Sequence, residues 1–384
     1  MIEKDSISQK NSIEKNFQHF GREHIARYPG LDQLTDFPND LWREMAKNRL
    51  FGIGVDPAYN GHGQSFRALA NAGKQLSANG GNMGVAMSWL LHEIVTAWLL
   101  SAFGTAVQKK KYLPQLAAGQ KIACFAVSEP GVGAHPKHLA TTAEKTPDGY
   151  VLNGEKTYLT NGPIADIFVV IAITGLLSGR KQFTAFIVSK DTPGFKKTGP
   201  LDLPFLHPCP HGGIRLSDCR VTSAQILGDI GDAYEKMVLP FRTVEDTLMS
   251  GPVIGGLTFL FDNLINQLSR MSENPDDTII EEAAQLKCTL DALSIISHAA
   301  AKELENDVAS DRLLTPGLFF RAQAIEFLEK FKQVFEKTGA LADQKTAAML
   351  GDLSAVTRIA ENVSKIKLKK LGLSFLSNSG LSRE

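Results

Sequence analysis

The chain of 384 residues is 43% hydrophobic and 21% charged, an ordinary composition for a globular protein with room for two or three domains. Its 41 basic and 41 acidic side chains balance, which removes the electrostatic case for nucleic acid or an anionic membrane as partner. Cys124, Cys209, Cys219 and Cys288 are scattered, with no Cys-x-x-Cys and no His pair at ligand spacing, so a reducing cytoplasm is expected and a metal site is not.

The first six residues carry acids and no apolar run, which fits neither a signal peptide nor a membrane span. Residues 1–120 read as a helical domain. Apolar side chains recur there at i, i+3 and i+4 around Leu41-Trp42 and along Met87 to Leu100, between Pro-Gly, Asn-Gly and Gly-Gly breaks. The basic Lys109 to Lys111 run reads as a solvated helix end. Over residues 121–230 the period changes to two, as in Phe183 to Val188 and Ile167 to Ile171, which predicts a central antiparallel β-barrel or sandwich. Residues 231–384 return to helical spacing and predict a C-terminal four-helix bundle. Thr315-Pro316 suits an N-cap and first position, Lys337 with Gly339 a helix end, and Asp276 or Asp277 a cap with Glu281 in the first turn.

Two phrases in the middle stretch stand out, Ala123 to Pro136 and Gly149 to Gly162. Each alternates in hydrophobicity and is punctuated by glycine or Asn-Gly, as strands and tight turns are. Gly131, Gly133 and Ala134 would let backbone amides approach a planar or phosphorylated ligand, and Ser128 and Thr160 offer hydroxyls at the strand ends. Turn chemistry alone is equally that of a plain hairpin pair.

The surroundings carry a resemblance. Phe37-Pro38, Leu41-Trp42, Gly52 to Val55, Tyr59 to Gly63, Phe103-Gly104, Gln108, Lys111 to Pro114, Gly119, the two phrases and Leu227-Gly228 together are similar to the acyl-CoA dehydrogenase family over roughly residues 35–260. That family's fold is the α+β order of helical domain, β-domain and helical bundle. The resemblance implies FAD, an acyl-CoA or carrier-bound acyl thioester as substrate, an electron-transfer flavoprotein as electron acceptor, and a homo-oligomer or a mixed oligomer with a related subunit. It implies fatty acid metabolism and loss of two hydrogens to give the 2,3-enoyl thioester. A carboxylate then takes the α-proton while the β-hydrogen leaves as hydride.

By the same resemblance Phe125, Val127 and Ser128 would meet the flavin ring. Gly133 and Ala134 would lie near its ribityl and pyrophosphate, and Tyr158 and Thr160 on the far strand. Ala134 stands where relatives carry a serine hydroxyl and Tyr158 where they carry Trp. Two glutamates match the family's alternative base positions: Glu245, ten residues before Gly255, and Glu361 in Ile359 to Ile366. Two phrases that reach the pyrophosphate and adenine in relatives are missing, with only Arg270 and Gly339 at the corresponding places. A second reading follows from that loss, a non-catalytic or FAD-deficient partner subunit of a mixed assembly. A third keeps the flavin and changes the reaction to an oxidase or hydroxylase.

Overall fold

The computed structural model describes residues 12–271, 275–359 and 361–378. Glu273 and Asn274, the start of the Glu-Asn-Pro-Asp-Asp run before the helix at 277, lie outside them.

The described residues begin with α1 (12–20), which widens into a π-turn at Gly21–Ile25, and α2 (Asn39–Lys47). It continues with α3 (Phe66–Gly80) and α4 (Met83–Ile94), the latter extended by a π segment and α5 (Ser101–Phe103), and then α6 (Ala106–Ala117). The Asn82 side chain accepts Val85 N–H at 2.8 Å to start α4. Every residue of α4 is buried, which is why its sequence is apolar all round. Thr105 and Gln108 close a reciprocal capping box on α6.

Eight strands follow: β1 (Ala123–Ala126), β2 (Thr142–Thr146), β3 (Gly149–Thr160), β4 (Ile167–Leu177), β5 (Arg180–Ser189), β6 (Phe195–Leu201), β7 (His211–Val221) and β8 (Ile226–Leu227). They form one sheet of order β6-β7-β3-β2-β4-β5-β8, with β1 beside β4. The sheet is mixed rather than wholly antiparallel. β1 and β4 run parallel, Ala123 opposite Ile167, because the chain leaves β1 through a long loop rather than a hairpin.

The remainder is helical: α7 (Leu239–Leu268), α8 (Asp277–Asn306), α9 (Leu314–Lys337), α10 (Gln344–Arg358) and α11 (Glu361–Asn378). Asp276 caps α8, and Gly339 at φ 68° ends α9, both as the residue types require. Thr315 is not the cap of α9. A 3-10 turn at Asp311–Leu313 runs straight into that helix, so Thr315 and Pro316 fall within its first turn. α7 lies directly on α3: a Cβ at Gly251 would stand 2.0 Å from the Ala70 carbonyl and one at Gly255 2.3 Å from that of Lys74. That approach fixes the depth of the helix carrying Glu245. Met83–Phe103 and Tyr234–Leu268 are long and apolar enough to cross a membrane, but both are largely buried inside the protein.

Candidate active site

Phe125, Val127, Ser128, Ala134, Tyr158, Thr160 and Glu245 line one cavity of about 170 Å³. β1 delivers Phe125, and the segment after it is clamped to β3. Thr157 N–H donates to the Ser128 carbonyl at 2.9 Å, and Lys156 Nζ donates to the Val127 carbonyl at 3.0 Å. Lys156 also pairs with Glu129 at 2.8 Å in the interior, where Glu129 accepts the N–H groups of Ala140 and Thr141 as well. Burial pulls the Lys156 ammonium down to about 8, against the attraction of Glu129.

Tyr158 owes its place to a bulge. Three steps of β3 from Lys156 to Leu159 oppose two of β7, Ile214 to Gly212, and Tyr158 takes φ 56° within them. That turns its ring outward, 60% exposed, at the cavity edge. Thr160 Oγ1 lies 3.2 Å from His211 Nε2, and His211 Nδ1 lies 3.1 Å from the Cys209 carbonyl. A carbonyl only accepts, so Nδ1 carries the proton. Burial lowers the pKa of His211, and in the neutral ring Nε2 accepts the Thr160 O–H. The Thr160 oxygen keeps its lone pairs for the cavity.

Glu245 comes from α7, one turn after Phe241, whose ring packs against Phe125 at 4.7 Å. Burial pushes the Glu245 carboxyl up to about 7; Asp246 adds to the shift and Arg242 opposes it. Glu245 also lines a second cavity, of about 390 Å³, between α7, α8, α9 and the start of α11. Among the described residues it is the one common to both walls. Asp246, beside it, faces Arg321 at 3.4 Å, and Arg321 also donates to the Thr357 and Ile359 carbonyls.

Two expected site residues stand apart. Gly133, at φ 60°, shapes the turn in which its N–H donates to the Glu129 carbonyl at 3.1 Å, but it is not in the cavity wall. Glu361 lines neither cavity. α10 ends at Arg358, and Glu361 opens the exposed α11, paired with Lys365 at 2.7 Å, which lowers its pKa. Sequence reasoning missed Arg242, which lines the smaller cavity one turn before Glu245, and the spacing i, i+3 was a usable signal. It also missed His211, which β3–β7 pairing sets opposite Thr160, and the Glu129–Lys156 pair, made where the loop after β1 lies against β3.

Comparison with known proteins agrees with this arrangement. The models of the acyl-CoA dehydrogenase N-terminal and middle domains match residues 8–120 and 124–219. The 3-(aryl)acrylate reductase of Clostridium sporogenes is 28% identical over 88% of this chain and 90% of its own. Isovaleryl-CoA dehydrogenase of Solanum tuberosum is 32% identical over 64% of this chain, which spans 60% of that enzyme. The structure of butyryl-CoA dehydrogenase from Megasphaera elsdenii shares the fold at a TM-score of 0.84 and 22% identity, covering 96% of this chain and 98% of that one. The chain belongs to the acyl-CoA dehydrogenase family, whose members are FAD-dependent oxidoreductases acting on CH–CH bonds.

Proposed function

We propose that this protein dehydrogenates an acyl thioester at its α,β bond, with FAD in the smaller cavity, the acyl group in the larger, and Glu245 as the base. The observation that carries the reading is the position of Glu245 in both walls. The donor set suits a flavin. Ser128 and Thr160 bring hydroxyls, Phe125, Phe241 and Tyr158 bring aromatic surface, and a Cβ at Gly131 or Gly133 would meet no protein atom within 4 Å. Bound FAD supplies the acceptor for the hydride that leaves the β-carbon.

Glu245 takes the α-proton on its carboxylate. Its pKa of about 7 leaves a useful fraction ionised at neutral pH while keeping it basic enough to accept. Arg242, with no acidic partner in an ion pair among the described residues, keeps that fraction from falling further. The apolar part of the larger cavity's wall, including Met249, Val253, Ile296 and Leu314, offers the acyl group a hydrocarbon surface. Coenzyme A or a carrier protein would present the thioester, and an electron-transfer flavoprotein would remove the electrons. Exposed apolar residues on α8 and α11, Ile295 and Phe375 among them, suit burial against another subunit in a homo- or mixed oligomer.

The test is flavin absorbance in the purified protein and its anaerobic bleaching by an acyl thioester. A colourless protein that takes up no added FAD would return the chain to the partner-subunit reading.

A further inference from the structure

Two buried hydroxyls stand in the wall of the larger cavity where an alkyl-binding pocket needs none. Ser250 on α7 and Ser297 on α8 are both buried, and their Oγ atoms lie 2.5 Å apart. Ser250 also donates to the Thr247 carbonyl one turn back, at 2.5 Å. A hydroxyl has one proton, and that bond uses the proton of Ser250, so Ser297 must be the donor between the two serines. The chain of bonds therefore runs from Ser297 to Ser250 to the Thr247 carbonyl. Its head, the Ser297 oxygen, has spent its proton and keeps acceptor capacity, and both serines line the cavity.

We propose that Ser297 makes this cavity selective for an acyl group that carries a hydrogen-bond donor, a hydroxyl or an N–H, away from the thioester. The inference rests on the acyl group occupying the larger cavity. Apolar side chains share that wall, Met249 and Val253 on α7, Ile296 on α8 and Met87 on α4, while its charged groups, Asp246, Asp311 and Arg321 among them, come from other positions in it. A ligand with a single donor on an otherwise apolar body matches both features. A plain alkyl end would leave the Ser297 oxygen facing hydrocarbon.

The test uses the full-length, FAD-loaded protein and ω-hydroxyacyl-CoA esters, each paired with the straight-chain ester in which a methyl replaces the hydroxyl. Affinities are read in the Glu245→Gln background, with and without Ser297→Ala, from the shift in the visible spectrum of the bound flavin, so that binding is followed without its reduction. At least one pair should favour the hydroxyl ester by about 5- to 10-fold, the size of one well-made hydrogen bond. Ser297→Ala should bring that ratio to about 1 or reverse it, since the hydroxyl then enters unmatched. The ratio is the reading, so a general loss of fold cancels from it. Binding of both esters with no preference in any pair, or an undiminished ratio in Ser297→Ala, overturns the inference and leaves the proposed function standing. Failure of every ester to bind overturns the acyl-site assignment and the inference together.

Discussion

Arg242 and Glu245 stand one helical turn apart on α7, and both face the smaller cavity. The guanidinium lowers the carboxyl pKa, against burial and Asp246, which raise it. A base that must give up its proton to work, in a place that resists ionisation, depends on that neighbour.

Glu245→Gln is accordingly expected to lower turnover by roughly 10²- to 10⁴-fold, the usual worth of a positioned base, with flavin spectrum and ligand affinity kept. Glu361→Gln should leave turnover intact, because Glu361 is exposed and held by Lys365. Rapid-mixing reduction of the flavin by substrate checks both. Full reduction in Glu245→Gln and loss in Glu361→Gln would invert the assignment.

Wild-type kcat/KM should rise with pH through about 7 as Glu245 becomes ionised. In Arg242→Gln the same limb should move to higher pH, since the one charge that favours the carboxylate is gone. A pH profile that does not move would show that Arg242 acts elsewhere.

His92 and Glu93, adjacent on α4 and fully buried, shift in opposite senses. His92 accepts Ala123 N–H on Nδ1 at 3.1 Å, so Nε2–H donates to the Leu116 carbonyl; burial holds its pKa near 4. The unfolded chain binds a proton there from about 6.5 downward and the folded chain refuses it, so this contribution fades as pH falls from 6.5 to 4. Glu93 accepts the N–H groups of Gly52 and Ile53, and burial raises it to about 7. The unfolded chain loses that proton first, from about 4.5 upward, so its contribution fades as pH rises to 7. The stability deficit of His92→Gln should shrink toward acid and that of Glu93→Gln toward neutrality, each by up to about 1.4 kcal/mol per pH unit. Urea unfolding across pH 4.5 to 7 measures both, and parallel deficits would sink the argument.

Much of this was legible before the fold was known, for reasons particular to the residues. Period-two runs such as Phe183 to Val188 became β5, and the all-apolar stretch after Met87 became a helix buried on every side. Glu245 came into view through its resemblance to a family segment in which Gly255 follows ten residues on, and that glycine is one of those that let α7 touch α3. Glu361 shows the limit. Similarity can lay a residue on a motif, but whether it faces a cavity depends on where the preceding helix stops. The Thr160–His211 bond spans 51 residues and the Ser250–Ser297 bond 47, and no local pattern marks either. The parallel β1–β4 pair is likewise a product of what lies between them, a long loop and the antiparallel β2–β3 pair.

The buried Lys156–Glu129 pair ties the Val127–Ser128 segment to β3, so it is expected to matter twice. Removing one partner, as in Lys156→Met, strands a charge and should cost about 3–5 kcal/mol; removing both should cost less than either single change. Lys156→Met should also release flavin, since the Val127 carbonyl loses its donor. Denaturant unfolding of the two singles and the double decides the first point and flavin retention the second. Additive losses would mean the two charges act independently.

Thr160 is expected to bear on how the cofactor is held. Its proton goes to His211, so its oxygen can only accept from a ligand, as a flavin ring N–H requires. Thr160→Ala should weaken FAD about 5- to 10-fold, one hydrogen bond's worth, and Thr160→Ser should recover most of it. Ser128→Ala should weaken it independently, from the other strand end. The adenine end is expected to be under-supported, because Arg270 and Gly339 are all that remain of the two phrases relatives use there. Wild-type protein should then shed part of its flavin on gel filtration and regain it from added FAD, and each variant should shed more. Flavin that stays stoichiometric through filtration in both alanine variants would show that the C-terminal helices supply contacts of their own, and that the ring end is not the principal anchor.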